Sequence, residues 1–296
     1  MKAREERVFQ AVSHVIMILA SAACVIPFLL LIISSFTDNN TIVANGYSFF
    51  PEKWGLDAYR YLFQRSGQIL QAYGITVLVT VVGTAGNLLF TTMLAYPLSR
   101  ADLPGRKALS FMVFFTMLFN GGLVPTYLLY TTYLGVKNTL AGLIVPLLLL
   151  NAYWVMIMRT FFQNSIPKAI IESAQIDGAS EMRIFYKIIL PMGKPIIATV
   201  CLFAGITYWN DWYNGMVYVT EADLFSIQQL LNRMLSDIQF LQTNASMTGA
   251  ADYISKIPGT TLRMAIAVVG ILPILVIYPF MQNNFVKGIA IGAVKG

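Results

Sequence analysis

Ser165-Ile166-Pro167-Lys168-Ala169-Ile170-Ile171-Glu172-Ser173-Ala174-Gln175-Ile176-Asp177-Gly178-Ala179-Ser180, with Ile188-Ile189-Leu190-Pro191 following, lies between two long apolar runs and is too patterned for a linker. Ser165 and Pro167 suit the first turn of a helix. Ile170, Ile171 and Ala174 then fall at helical spacing on one face, with Glu172 and Gln175 elsewhere. Gly178 is free to take the left-handed conformation that ends a helix, Asp177 favours a turn, and Ser180 is placed to cap a second short helix. The spacing therefore predicts a helix-turn-helix over residues 165–191.

The flanking sequence says what this hairpin is attached to. Of 296 residues, 57% are hydrophobic and 11% charged, which is more apolar surface than a soluble domain of that size buries, so a membrane is the natural solvent. Apolar segments of about 20 residues occur at Val12–Phe36, Ala72–Leu98, Leu109–Tyr130, Leu140–Phe162, Ile196–Val217 and Leu262–Phe285. The expectation is an all-α membrane protein of six transmembrane helices. Gly121, Gly122, Pro125 and Pro146 interrupt the third and fourth, and Pro273 and Pro279 the sixth, which membrane helices tolerate when neighbours satisfy the freed backbone groups. The first segment follows a basic start, Met1 to Arg7, but it is too long for a signal-peptide core and lacks a small-x-small site at its end, so it reads as a retained span.

Cytoplasmic connections carry the excess of Lys and Arg. Lys2, Arg4 and Arg7 precede the first span; Arg100, Arg106 and Lys107 follow the second; Arg159, Lys168, Arg183, Lys187 and Lys194 surround the hairpin; Lys287 and Lys295 are in the tail. Both termini and the hairpin are expected to be cytoplasmic in a multi-pass cytoplasmic-membrane protein. The opposite side keeps Lys53, Arg60, Arg65, Lys137, Arg233, Lys256 and Arg263, thinly spread and mixed with acidic residues. The loops Thr37–Gln71 and Tyr218–Thr261 are too long for simple connectors and are expected to fold against the outer mouth. The organisation expected is residues 1–11 as an inner terminus, 12–71 as first span and outer loop, 72–285 as a core holding the hairpin at 165–191, and 286–296 as a tail.

Several function classes are disfavoured. The net charge of +6 forms no contiguous patch, which argues against nucleic acid as a partner. Cys24 and Cys201 sit inside apolar runs without metal or redox spacing, and His14, the single histidine, is at the edge of the first run, so neither a metal centre nor a His-based triad is expected. The central parts of the spans carry no Asp, Glu, Lys or Arg, the nearest being Asp211 toward the outer end of the fifth; an ion-coupled secondary transporter, the rival from another class, places an ionisable residue at the midplane. There is no GxxxxGK[ST] phosphate loop, so a partner must supply the energy of uphill transport. A non-transport scaffold has no need of the patterned hairpin.

Glu172-Ser173-Ala174, three residues, Gly178, nine residues, Ile188, one residue, Leu190-Pro191 resembles the signature loop of importer permeases of the ATP-binding-cassette (ABC) superfamily, departing from it where Ser173 stands for Ala. The resemblance implies a type I importer permease fold in which this cytoplasmic coupling helix docks on a separate ATPase, with Glu172, Ser173, Ala174, Asp177, Gly178, Ala179, Leu190 and Pro191 as the coupling residues. It implies as partners a homologous second permease in a heterodimer, two ATP-binding-cassette ATPase subunits and an extracytoplasmic solute-binding protein. ATP and Mg are then used by the ATPase, this chain binds no cofactor, and it is not an enzyme. Asn120-Gly121-Gly122-Leu123-Val124-Pro125-Thr126-Tyr127 is similar to the third-helix motif of permeases for oligosaccharides and polysaccharide fragments, and the tail Gly288 to Gly296 to that of the smaller maltose-type permease, which implies an ATPase contact at Lys295 and Gly296. The cargo implied is a sugar or oligosaccharide; a polyol, a glycerol phosphate or a peptide uses the same machinery.

Two readings stand for Tyr208, Trp209, Asn210, Asp211 and Trp212, with Tyr213 and Asn214 beside them. They form a saccharide platform, with aromatic faces for pyranose rings and polar groups for hydroxyls, or an interfacial aromatic belt. Asn120 at the third-helix break either lines the path or helps helices pack.

Overall fold

The structure, a computed structural model, describes residues 2–243 and 258–293; Lys295 and Gly296 of the expected tail contact lie outside the described residues. Among the described residues the chain is helical, with an isolated antiparallel bridge between Thr37 and Trp54. The elements in order are α1 (Lys2–Ser35), α2 (Asn39–Asn45), α3 (Asp57–Gln64), α4 (Ser66–Ser99), α5 (Arg106–Leu118), α6 (Leu123–Leu128), α7 (Leu140–Ile144), α8 (Ala152–Ser165), α9 (Lys168–Ile176), α10 (Glu181–Ile184), α11 (Leu190–Met192), α12 (Lys194–Trp209), α13 (Tyr213–Tyr218), α14 (Ile227–Thr243) and α15 (Gly259–Ala293). Five-residue π-helical turns, Leu129–Tyr133 and Phe185–Ile189, extend α6 and join α10 to α11.

Three stretches are long and apolar enough to cross a membrane, Glu6–Ser35, Ser66–Ser99 and Gly259–Val276, and two bent pairs raise the number to five among the described residues: Arg106–Leu118 with Leu123–Tyr133, bent by 116°, and Glu181–Met192 with Lys194–Trp209, bent by 77°. The fourth span expected at Leu140–Phe162 is not one helix. After α7 the chain leaves helical geometry at Pro146, Leu147 takes a positive φ of 64°, and helix resumes only at α8. Proline has no N–H to give and crowds the preceding turn, so the break opens carbonyls that lipid cannot satisfy. Three side chains from other elements satisfy them. Tyr208 Oη of α12 donates to the Ile144 carbonyl (2.9 Å), Asn214 Nδ2 of α13 to Pro146 (3.0 Å) and Asn87 Nδ2 of α4 to Leu148 (2.8 Å).

The element limits also differ from expectation. The second span's helix opens at Ser66 rather than Ala72, the expected outer loops contain α2, α3 and all of α14, and α15 continues through much of the expected tail to Ala293.

The chain divides into two compact units, Met1–Gly67 with Arg233–Leu275 and Gln68–Asn232 with Val276–Gly296. In the first, α1 is apolar around its whole circumference, with Phe9, Ile16, Met17, Ile18 and Leu19 exposed, as suits a helix solvated by lipid. After it the chain is tied down locally: Phe36 stacks on Tyr59 at 4.7 Å, Ser35 Oγ lies 2.8 Å from Tyr59 Oη, and Asp38 caps α2 through the amides of Asn40 and Thr41. Asn39 Oδ1 accepts from the amides of Thr260 and Thr261 at the start of α15.

The second unit is built around α4. Toward the Ser99 end, Ala95, Tyr96 and Leu98 join Val155, Met158 and Phe162 of α8, Ile171 of α9, Ile184 of α10, Phe185 and Ile189 of the π-helical turn after it, and Val200 of α12 in one apolar cluster. Toward the other end, Val79 packs with Leu143, Tyr208, Tyr218, Val219 and Phe225. Gly83 permits the close approach of α4 and α12: a Cβ there would stand 2.5 Å from atoms of the Tyr208 ring.

Candidate functional site

The hairpin that opened the sequence reading folds as two helices joined by a tight turn. Pro167, at φ −62° and ψ 130°, supplies the extended entry to α9. The helix ends on Gly178 at φ 76°, a conformation glycine adopts without a Cβ clash. There the Ala179 amide donates to the Ala174 carbonyl (2.9 Å) and the Gly178 amide to Gln175 (3.0 Å), the paired bonds of a Schellman cap. Ser180 caps α10 by accepting from the Arg183 amide. Gly178 thus satisfies the helix end in the smallest possible turn, and Ser180 starts the next helix at once.

The two faces of the hairpin have opposite characters. Ile171, Ile184, Phe185 and Ile189 are buried, with Ala174, Ala179, Ile188 and Leu190 packed against the same cluster. Glu172, Ser173, Asp177, Gly178 and Pro191 are exposed, as is Ile170, which the helical spacing had placed with Ile171. Ile176 stands out among them at 86% exposure, a large apolar side chain at the tip of a polar surface. Beyond Leu190-Pro191 the chain bends by 77° into α12 at Gly193, where a Cβ would meet Phe162 and the Ile189 carbonyl. The signature residues therefore form a rigid knuckle whose buried side is continuous with the cores of α4, α8 and α12.

Sequence reasoning missed the polar groups that join this hairpin to α4. Tyr96 Oη donates to Glu181 Oε2 at 2.5 Å, and Arg100 stands 3.7 Å from Glu181 while pairing with Asp102 at 2.9 Å. The hydrogen bond from Arg100 holds the Asp102 carboxyl below the usual carboxylate range. Nothing in the sequence announces partners 85 residues apart. The contact does put the basic connection after α4 and the hairpin on one face, as the Lys and Arg pattern requires.

The candidate path residues divide. Tyr208 is 2% exposed and its hydroxyl holds the Ile144 carbonyl; Trp209 is buried as well. Asn210 and Trp212 are exposed, and Asp211 Oδ1 accepts from the amides of Tyr213 and Asn214 to start α13. Asn120 is exposed at the 116° bend, where its Oδ1 accepts from the Gly122 amide (2.8 Å) and Gly122 takes φ 86°.

No protein-family model matches the sequence. The polygalacturonan/rhamnogalacturonan transport system permease protein YtcP of Bacillus subtilis (strain 168) is 38% identical over 292 residues, covering 99% of this chain and 100% of that one. The chain belongs to the ABC importer permeases of the carbohydrate-import type. Another such permease, the arabinooligosaccharides transport system permease protein AraQ of Halalkalibacterium halodurans, is 28% identical over 279 residues, 92% of this chain and 91% of its own. Among solved structures, a bacterial ABC transporter involved in the import of the acidic polysaccharide alginate superposes with a TM-score of 0.78 at 27% identity, covering 95% of this chain and 98% of that one. As an ABC importer permease, the chain is a membrane protein that forms part of the route for a sugar or oligosaccharide. In a membrane, irregular backbone like that of its bent third and fifth segments and broken fourth is stable when buried in protein or lining a cavity.

Proposed function

We propose that this permease passes an oligosaccharide released from a polysaccharide, with uronate-rich fragments as the leading cargo, from an extracytoplasmic binding protein to the cytoplasm. The names of YtcP and of the alginate importer support the uronate class. It pairs with a homologous second permease, and two ATPase subunits use ATP and Mg; the chain itself binds no cofactor. Both termini and the hairpin are cytoplasmic.

The observation that carries the mechanism is the knuckle of α9 and α10, exposed on the side of Glu172, Ile176 and Asp177 and buried on the side of Ile171 and Ile184. In this reading Ile176 enters an apolar hollow of the ATPase while Glu172, Ser173 and Asp177 meet polar groups around it. Ala174, Ala179 and Leu190 hold the knuckle to the spans and Pro191 leads from it toward α12, so closure of the ATPase pair rotates α8 and α12 as rigid bodies. Asn120, Asn210 and Trp212 offer the exposed polar and aromatic groups a saccharide needs, and Tyr208, Trp209 and Asp211 shape the wall behind them. Lys295 and Gly296 extend the tail contact with the ATPase.

The test is uptake of radiolabelled trigalacturonate, with arabinotriose as the second arm, by cells with and without this gene. Loss of trigalacturonate uptake alone is expected. Loss of arabinotriose uptake instead, or loss of neither, overturns the uronate assignment. An uncoupler that stops uptake while ATP is maintained overturns the ATP-driven mechanism.

A further inference from the structure

Glu181 lies outside the fixed positions of the signature loop, yet it is where the hairpin and α4 are joined by directional bonds. Its Oε1 accepts from Gln175 Nε2 on the coupling helix α9 (2.9 Å), and its Oε2 accepts from Tyr96 Oη on α4 (2.5 Å). Arg100, with a side chain 14% exposed, stands 3.7 Å from Oε1. Two bonds to Asp102, Nε to Oδ1 at 3.0 Å and Nη2 to Oδ2 at 2.9 Å, fix the guanidinium in place. One carboxylate is thus shared by the coupling helix and the end of a membrane span.

Beside this bridge the apolar packing is incomplete. A cavity of about 380 Å³ opens between α4 and α10, lined by Met93, Pro97, Leu103, Met182 and Phe185 with Tyr96, Arg100 and Glu181 at its polar side. Close-packed cores transmit displacement because they have nowhere to yield. The cleft is open at the surface, and beneath it Ile184 and Phe185 share one buried cluster with Tyr96 and Leu98. Hydrogen bonds weaken steeply once their distance and angle are lost, so the Gln175–Glu181–Tyr96 chain adds to that non-directional packing a directional constraint on the side where the cleft leaves none.

We propose that Glu181 is a positioning residue for energy coupling: through Gln175 and Tyr96 it makes α4 follow the coupling helix, and Arg100 holds its carboxylate in register. The proposal rests on the coupling reading above and adds α4 to α8 and α12 as a driven span. Without the bridge, the ATPase cycle runs while α4 lags, and ATP is spent without transport.

The test uses the whole importer, isolated from its native membrane through a tag on this chain and reconstituted in proteoliposomes with trigalacturonate. The quantity read is ATP hydrolysed per saccharide imported. Tyr96→Phe keeps the ring packed on Phe185 and is expected to raise the ratio about threefold; Glu181→Ala, which frees both partners, about tenfold. Glu181→Gln still accepts from Tyr96 and, with the Gln175 amide turned over, still bonds α9, so it is expected to stay within twofold of the parent. A purely structural role lowers protein level or melting temperature and leaves the ratio unchanged. Parent ratios for Tyr96→Phe and Glu181→Ala at parent membrane levels overturn the proposal, and Tyr96→Phe decides alone where Glu181→Ala fails to accumulate. Gly178→Asp separates the two layers: if that variant is inactive while the bridge variants behave as parent, only the bridge falls, and if it still imports, the coupling reading falls with it.

Discussion

Tyr208→Phe removes one oxygen and leaves the ring on Gly83, so it measures what that hydroxyl does. The hydroxyl donates to the Ile144 carbonyl (2.9 Å) at the end of α7, where the chain breaks before Pro146 and the helix no longer offers a partner. Hydrogen bonds between membrane helices average about 0.6 kcal/mol and reach about 1.7, while stranding a buried acceptor costs about 1–3 kcal/mol. Tyr208 is 2% exposed, so water does not compensate, and the expected loss is about 1–2 kcal/mol. That is a fall of roughly five- to thirtyfold in the folded-to-unfolded ratio. The assay is SDS or thermal unfolding of the purified importer beside the saccharide KM of uptake, with the midpoint falling and KM unchanged. An unchanged midpoint with a tenfold higher KM refutes the reasoning, because the hydroxyl is then spent on cargo. Tyr208→Ala does not discriminate, since the cavity it leaves costs about 3–5 kcal/mol by itself.

Gly178→Ala forces a side chain into φ 76° and should cost the knuckle about 1 kcal/mol, seen as slowed uptake at normal membrane level, with Gly178→Asp abolishing uptake. Ile176→Asp should cut co-purification of the ATPase at least tenfold while shifting this chain's own stability by less than about 0.5 kcal/mol, because the side chain is 86% exposed; undiminished co-purification removes Ile176 from the contact. Gly83→Ala should destabilise by about 1–3 kcal/mol, read from the same unfolding midpoint, since its Cβ meets the Tyr208 ring at 2.5 Å.

The parts of this molecule legible in its sequence are those set by local chemistry. The left-handed Gly178, the Ser180 cap and the turn at Asp177 depend only on neighbouring residues, and the hairpin forms over the expected span. Burial was legible only as periodicity: Ile170 and Ile171 share a helical face by spacing, yet Ile171 enters the core and Ile170 stays exposed. In the fourth segment the interruption at Pro146 was legible, but hydropathy does not show that helix stops there until Ala152 or that distant side chains stabilise the break. The sequence groups Asn214 with the aromatic cluster that ends the fifth segment and gives no reason to single out Asn87. Their purpose depends on carbonyls 61 and 68 residues away, a relation that no local pattern encodes. Glu181 was hidden for the same reason.

These three donors also make a joint prediction. The carbonyls of Ile144, Pro146 and Leu148 lie on one irregular segment, and each is held by a different element, α12, α13 and α4. Losing one donor leaves the segment pinned by two, so the carbonyl it held must stay buried and the cost is felt in full at Ile144 and Leu148, and less at Pro146, which also accepts from the Leu148 amide (2.8 Å). Once a second donor is removed, the segment is free to shift and find other partners, and the third loss then costs little. Tyr208→Phe, Asn87→Ala and Asn214→Ala should accordingly be sub-additive in pairs by at least about 0.5 kcal/mol, beyond the roughly 0.3–0.5 within which independent sites add. Unfolding midpoints of the single and double variants measure the coupling. Strict additivity would mean that the carbonyls are satisfied independently, and that the break is held open by the backbone itself at Pro146 and Leu147 rather than by the three side chains converging on it.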